Sequence, residues 1–199
     1  MVPSTPEAED GRLVERFCKG DTQAFKALVE RHMKLAGAAA HGVTGDYAAA
    51  EDVVQESFLK VYTNLGSLKE PEKFKYWLRN VVRTTALDWR RRNKKGVQSL
   101  DALESLDGES LNVEAPDASP PERVTDKEEL RKRVREEIER LPESHREVVA
   151  LKYLGGKSYE EIAALTGLSQ ATIESRLFRA RQKLKSRFER FLGPAGTNR

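Results

Sequence analysis

The stretch SYEEIAALTGLSQATIESRLFRARQKL, Ser158 to Leu184, decides the fold. Ser158 with Glu161 three residues on is a capping box, so a helix begins near Tyr159. Ile162, Ala163 and Leu165 give that helix a short apolar face. Gly167 stands where a C-terminal cap needs positive φ, and Ser169 suits the N-cap of the next helix. There Ile173, Leu177, Ala180 and Leu184 recur at helical spacing and face a core. Ala171, Glu174, Ser175, Phe178 and Gln182 lie on another face, with Arg176, Arg179 and Arg181 around or between the two. Two helices, a tight turn and an arginine-rich second helix make the layout of a helix-turn-helix, whose second helix enters the DNA major groove. Cations beside its exposed face suit phosphates or guanine edges. An amphipathic hairpin with a solvated basic face is the plainer alternative.

Composition narrows the rest. A chain of 199 residues fits one or two small domains. No run of eighteen apolar residues exists, so no membrane insertion is expected. The N-terminal MVPSTPEAEDG lacks a basic-then-apolar signal, which predicts a cytoplasmic protein. The single cysteine, Cys18, excludes an internal disulfide framework and a Cys-rich zinc site. Beside Phe17 in an apolar-periodic segment, it reads as a buried, inert thiol. His32, His41 and His145 are scattered without ligand spacing and read as structural or surface residues. With no Gly-rich phosphate loop, no metal cluster and no nucleophile–base pair in the sequence, neither an enzyme nor a cofactor is expected.

The net charge of +3 hides a strong pattern. Residues 1–96 hold 17 Lys and Arg against 13 Asp and Glu. Residues 97–122 hold 7 acidic groups and no basic one, and residues 123–199 hold 18 basic against 12 acidic. Two basic blocks joined by an acidic tether suggest two nucleic-acid-facing domains and a linker with a different partner.

Periodicity predicts helices throughout and no strand, so the fold class is all-α. The expected organisation is a disordered 1–9, a helical domain over 10–96, an acidic linker over 97–124, a second helical domain over 125–192 and a tail over 193–199. In the first domain a short helix covers about 10–18. Asp21 caps a second running towards Gly42, and Asp46 caps a third reaching about Leu65. After the loop Gly66–Lys73, a fourth runs from about Pro71 or Phe74 to Arg92. In the second domain one helix covers about 126–141, stopped by Pro142, and another covers about 143–153.

The fourth helix concentrates chemistry. Phe74, Trp77, Leu78, Val81, Val82, Thr85 and Trp89 form an apolar band, with the two tryptophans reading as core anchors. Tyr76, Arg79, Asn80, Arg83, Leu87 and Arg90 lie towards a different face, and a basic run closes the helix. Cations interleaved with aromatic and amide groups suit single-stranded or melted DNA. On the third helix Asp52, Gln55, Glu56 and Leu59 share one side at spacings of three and four. An acidic and amide-bearing face in a basic domain suits a basic protein partner better than DNA.

AEDVVQESFLKVY (Ala50–Tyr62) and FKYWLRNVVRTTALDWRRR (Phe74–Arg92) together resemble the promoter-melting domain of bacterial sigma factors. LPESHREVVALKYLGGKSYEEIAALTGLSQATIESRLFRARQKL (Leu141–Leu184) resembles their C-terminal promoter-reading domain. The chain thus resembles an extracytoplasmic-function (ECF, group IV) sigma factor of the sigma-70 family over roughly residues 10–192. The resemblance implies binding to core RNA polymerase through its β′ coiled coil and β subunit, and to promoter DNA. It places Asp52, Gln55, Glu56 and Leu59 at the β′ coiled coil. It places Lys69, Lys73, Tyr76, Arg79, Asn80, Arg83, Thr84, Asp88 and Arg91 at the −10 element, where a flipped base is held in a pocket. It places Ala171, Thr172, Glu174, Ser175, Arg176, Phe178, Arg179 and Arg181 at the −35 element. Thr84 stands where relatives often carry Asn, and Glu174 where a basic residue is frequent. In relatives the linker threads through polymerase, where an acidic strand could mimic RNA; that role here would fall to Asp101, Glu104, Asp107 and Glu109. The resemblance also implies control by an anti-sigma factor. A conventional helix-turn-helix repressor or activator, acting without polymerase, is the alternative reading.

Overall fold

A computed structural model describes residues 5–104 and 127–192, and every regular element among them is helical. The N-terminal unit holds α1 (Pro6–Cys18), α2 (Thr22–Thr44), α3 (Tyr47–Asn64) and α4 (Phe74–Glu104). The C-terminal unit holds α5 (Lys127–Glu139), α6 (Glu143–Val149), α7 (Tyr159–Thr166) and α8 (Gln170–Leu192). None of the described helices is long and apolar enough to cross a membrane.

The caps read from the sequence set the helix ends. The Asp21 carboxylate accepts from the amides of Gln23 and Ala24, and Asp46 accepts from Ala49. Gly45 closes α2 in the left-handed conformation, with φ at 75°. Asp10, almost fully buried, pins α1 to α2 by lying 3.0 Å from Arg31 Nε and 2.9 Å from His32 Nε2. Val14, Leu28, Val53, Val61, Phe74, Leu78 and Val82 build the core between α1, α2, α3 and α4. Trp77 and Trp89 pack against that core without being fully enclosed. Phe17, Phe25 and Tyr62 form a three-ring cluster with centroids 5.0–5.3 Å apart.

Four features differ from expectation. Cys18 is exposed, not buried. Adjacent helical residues point about 100° apart, so Phe17 turns inward and Cys18 outward. The segment Gly66–Lys73 is not a plain loop but carries 3-10 turns at Leu65–Ser67 and Pro71–Lys73. The helix starting at Glu143 ends in one wide π turn, Ala150–Leu154, where Gly155 N–H reaches Ala150 O at 2.9 Å. Lastly, α4 runs to Glu104, past Arg92 and into the acidic segment. The sequence between Val97 and Glu104 holds no proline and several good helix formers, including Gln98, Leu100, Ala102, Leu103 and Glu104. The linker beyond residue 104, with Asp107 and Glu109, lies outside the described residues, as do residues 1–4 and the tail from 193.

The two units pack on each other. A second core joins Val148, Leu151, Ile162, Ile173 and Leu177 of the C-terminal unit to Leu35 and Ala38 of α2, and Tyr76 of α4 leans on it. The α2 sequence GAAAHG (Gly37–Gly42) keeps the approach close. A Cβ on Gly42 would come within 2.9 Å of Glu147 Cα.

Candidate nucleic-acid interface

The helix-turn-helix has the geometry its sequence requires. Ser158 Oγ accepts from Glu161 N–H at 3.1 Å while the Glu161 carboxylate accepts from Ser158 N–H at 2.8 Å. Gly167 caps α7 with φ at 74°, and Ser169 Oγ accepts from Thr172 N–H at 3.2 Å. Ile173, Leu177 and Ala180 are fully buried, with Leu184 packed beside them. That seat turns the opposite side of α8 to solvent. Ala171, Glu174, Ser175, Phe178, Arg179 and Arg181 are all exposed, and Phe178 shows 60% of its surface. Thr172 is half-buried, its hydroxyl 2.8 Å from Ser169 Oγ. Arg181 donates to the Tyr159 hydroxyl at 3.3 Å, and Arg176, half-buried, donates to Ser144 O at 3.5 Å. The field on this side is positive: burial first, then Lys183, Arg176 and Arg179, push the His145 pKa below its ordinary value.

The α4 surface is divided. Lys69 is exposed between the two 3-10 turns, and Lys73 pairs with Glu70 at 2.7 Å. Asn80, Thr84, Asp88 and Arg91 are exposed. Thr84 turns its hydroxyl back onto the carbonyls of Asn80 (2.6 Å) and Val81 (3.0 Å), and Asp88 pairs with Arg91 at 3.0 Å. Tyr76 is half-buried against the second core, with Lys75 Nζ 4.9 Å from its ring centroid. Arg79 is only 8% exposed and is bonded to Glu147 of α6. Arg83 Nε lies 3.9 Å from the same carboxylate, and Arg90 is bonded to Glu143. A cleft of about 780 Å³ separates Asn80 and Thr84 from Ser144, Leu168 and Arg176 across the seam. These arginine–glutamate pairings were not legible in the sequence, because the partners stand 53 to 68 residues apart.

On α3 the expected group is split. Asp52, Gln55 and Leu59 are exposed together, and Leu59 at 70% is the most exposed large apolar side chain among the described residues. Glu56 is half-buried and tied to Lys60 at 2.7 Å and Arg92 at 3.1 Å. The Lys60 bond, more than Arg92, holds its carboxyl below the usual range. Beside this face runs an apolar groove of about 630 Å³ between α2 and α3, lined by Val29, Met33, Ala50, Val54 and Phe58, with Leu154 on its rim. In the sequence its signal is Met33, an apolar residue on an otherwise polar turn of α2, which the fold leaves exposed.

Comparison with known proteins matches this layout. The family model described as Sigma-70 region 2 matches residues 28–96, and the one described as Sigma-70, region 4 matches residues 131–184. The ECF RNA polymerase sigma-E factor of Salmonella typhimurium is 38% identical over 187 residues, covering 90% of this chain and 94% of that protein. The solved sigma factor RpoE in complex with the anti-sigma factor NepR from Bartonella quintana has a TM-score of 0.56 and 25% identity, covering 83% of this chain and 96% of that one. CnrH in complex with the cytosolic domain of CnrY has a TM-score of 0.61 at 24% identity, covering 92% and 98%, and shares the fold.

Proposed function

The chain belongs to the sigma-70 family as an extracytoplasmic-function sigma factor that directs transcription initiation, and from this we propose how its faces divide that task. Asp52, Gln55 and Leu59 dock the chain on core RNA polymerase, on the basic coiled coil of β′. Their joint exposure on α3 supports this, since an exposed leucine ringed by an acid and an amide suits a protein surface. Glu56 shapes that face by holding Lys60 and Arg92. The exposed side of α8 reads the −35 element, with Ser175, Arg176, Phe178 and Arg179 nearest base edges and Arg181 and Thr172 nearer the backbone. The surface of Lys69, Lys73, Asn80, Arg83 and Thr84 engages the −10 element as it melts, with Tyr76 and Arg79 joining once the seam opens.

The observation that carries the reading is the seating of α8. Its fully buried Ile173, Leu177 and Ala180 leave Phe178 and Arg179 exposed on the opposite side, in a region matched by Sigma-70, region 4. Two departures shape its preference. Glu174 is an exposed carboxylate on the reading side, able to accept from a cytosine N4 amine. The Thr84 hydroxyl already bonds the backbone, so it offers a lone pair to a base but not its proton.

Control by an anti-sigma factor belongs to the same reading, supported by the RpoE relative solved with NepR. Run-off transcription with purified core polymerase on genomic fragments tests the assignment. Specific start sites that depend on this chain are the expected result.

A further inference from the structure

The segment Gly66–Lys73, assigned above to the −10 element, is short and mostly exposed. Its own bonds are local: Leu68 N–H donates to Leu65 O at 3.1 Å, Lys73 N–H to Glu70 O at 2.9 Å, and Lys73 pairs with Glu70 at the surface. Two short turns of this kind do not fix a loop to the precision that holding a single base requires, about 0.5 Å. The rest of its support comes from α1, which precedes the residues matched by Sigma-70 region 2.

Gly11 lies in the interior of α1, where alanine would serve the helix better. Packing explains the glycine. It is buried, and a Cβ on it would meet Glu72 Cγ at 3.1 Å and Glu72 N at 3.4 Å. One turn earlier on the same face, Glu7 accepts from Lys75 Nζ, just past the loop. Asp10 holds His32 at 2.9 Å, and the His32 ring meets Phe74 edge-on with centroids 5.2 Å apart. Phe74, fully buried, is the residue on which the loop ends. Helix α1 is itself held firmly. Val14 is in the core, and Arg31 of α2 pairs with both Glu9 and Asp10, at 2.9 and 3.0 Å. Beside the Gly11–Glu72 contact a cleft of about 520 Å³, lined by Ala8, Arg12 and Glu70, gives the loop room to shift when that contact changes.

We propose that α1 sets the base selectivity of the −10 loop without touching DNA. Gly11 and Glu7 are positioning residues: Gly11 fixes how closely Glu72 approaches α1, and Glu7 fixes Lys75 where the loop passes into α4. The proposal rests on the −10 reading of the loop above. A methyl at Gly11 moves Glu72 by a few tenths of an ångström, and Lys73 with it. Such a shift alters the fit of a base held between loop and helix, while α3 and α8 keep their surfaces.

The test uses the full chain with core polymerase in run-off transcription. The template is a promoter mapped with the unmodified chain, carried in versions with each base at each −10 position and, separately, at each −35 position. Gly11→Ala and Glu7→Gln disturb the loop by unrelated contacts, and neither removes a group assigned to DNA. Each should change the ratio between the preferred base and its replacements by about three- to tenfold at a −10 position. Ratios at the −35 positions should not change. A loosened fold would instead lower initiation from every version alike, and that result overturns the proposal. Unchanged −10 ratios in both variants overturn it too. Lys69→Ala and Lys73→Ala separate this proposal from the reading beneath it. If they change the −10 ratios and the α1 variants do not, only the role of α1 fails. If none of the four changes them, the −10 reading of the loop fails as well.

Discussion

Arg146 caps the C-terminal end of α2 from the other unit, donating to the carbonyls of Gly42 and Val43 at 3.1 and 3.0 Å. The residue is 8% exposed. Burial works against its charge, while Glu143 and Glu139 support it. Replacing it by alanine strands four carbonyl groups beneath the seam. Arg146→Ala should lower stability by about 2–4 kcal/mol, read as a lower urea midpoint. Arg146→Lys should fall between, because one ammonium cannot reproduce the fork.

Gly45 and Gly20 make a matched pair. Both have positive φ, at 75° and 97°. A Cβ on Gly20 meets nothing within 4 Å, whereas one on Gly45 meets the Arg146 guanidinium carbon at 2.7 Å. Gly20→Ala should cost about 1 kcal/mol of backbone strain. Gly45→Ala should cost clearly more, because it also displaces the Arg146 guanidinium. Thermal melting of the two variants beside the parent checks the ranking.

His41 makes the fold sensitive to acid. It is 1% exposed, stacks on Tyr47 at 4.2 Å and has no hydrogen-bond partner on either ring nitrogen. Burial, aided by the nearby charge of Arg146, lowers its pKa from 6.5 to about 4. The unfolded chain therefore binds a proton on His41 at a pH where the folded chain refuses it. That contribution to stability is complete above pH 6.5, is lost as pH falls towards 4, and changes no further below. The loss is on the order of 3 kcal/mol. Denaturant unfolding from pH 7 to pH 4 should show a steeper fall for the parent than for His41→Leu.

The α3 face should separate binding from folding. Leu59 is 70% exposed, so Leu59→Asp should change stability by no more than about 0.5 kcal/mol. The same substitution should weaken association with core polymerase by about tenfold or more, measured by competition against the unmodified chain. Equal association of both chains would remove Leu59 from the docking face.

What the sequence made legible was local. The capping box at Ser158, the cap at Gly167 and the buried register of Ile173, Leu177 and Ala180 follow from spacings of three and four, and all are present. The Asp21 and Asp46 caps likewise fixed where α2 and α3 begin. What stayed hidden was long-range. Arg79 reads as a free basic residue until Glu147, 68 positions on, is seen beside it. Arg146 reads as an ordinary charge in a short helix until its partners prove to be backbone carbonyls about a hundred residues away. The available signal was the small-residue stretch Gly37–Gly42 followed by Gly45, which permits another backbone to come close but does not say which. Cys18 misled because its neighbour Phe17 carries the apolar register alone.

Run-off transcription with purified core RNA polymerase, with start sites mapped on genomic fragments, decides whether this chain is a sigma factor in action. Specific initiation should occur only when this chain is added, from fragments sharing two upstream elements. Arg179→Ala should then reduce initiation by about tenfold or more, in line with loss of a base-edge or phosphate contact at the upstream element. Specific initiation no greater than that of core polymerase alone would mean that this chain does not direct it.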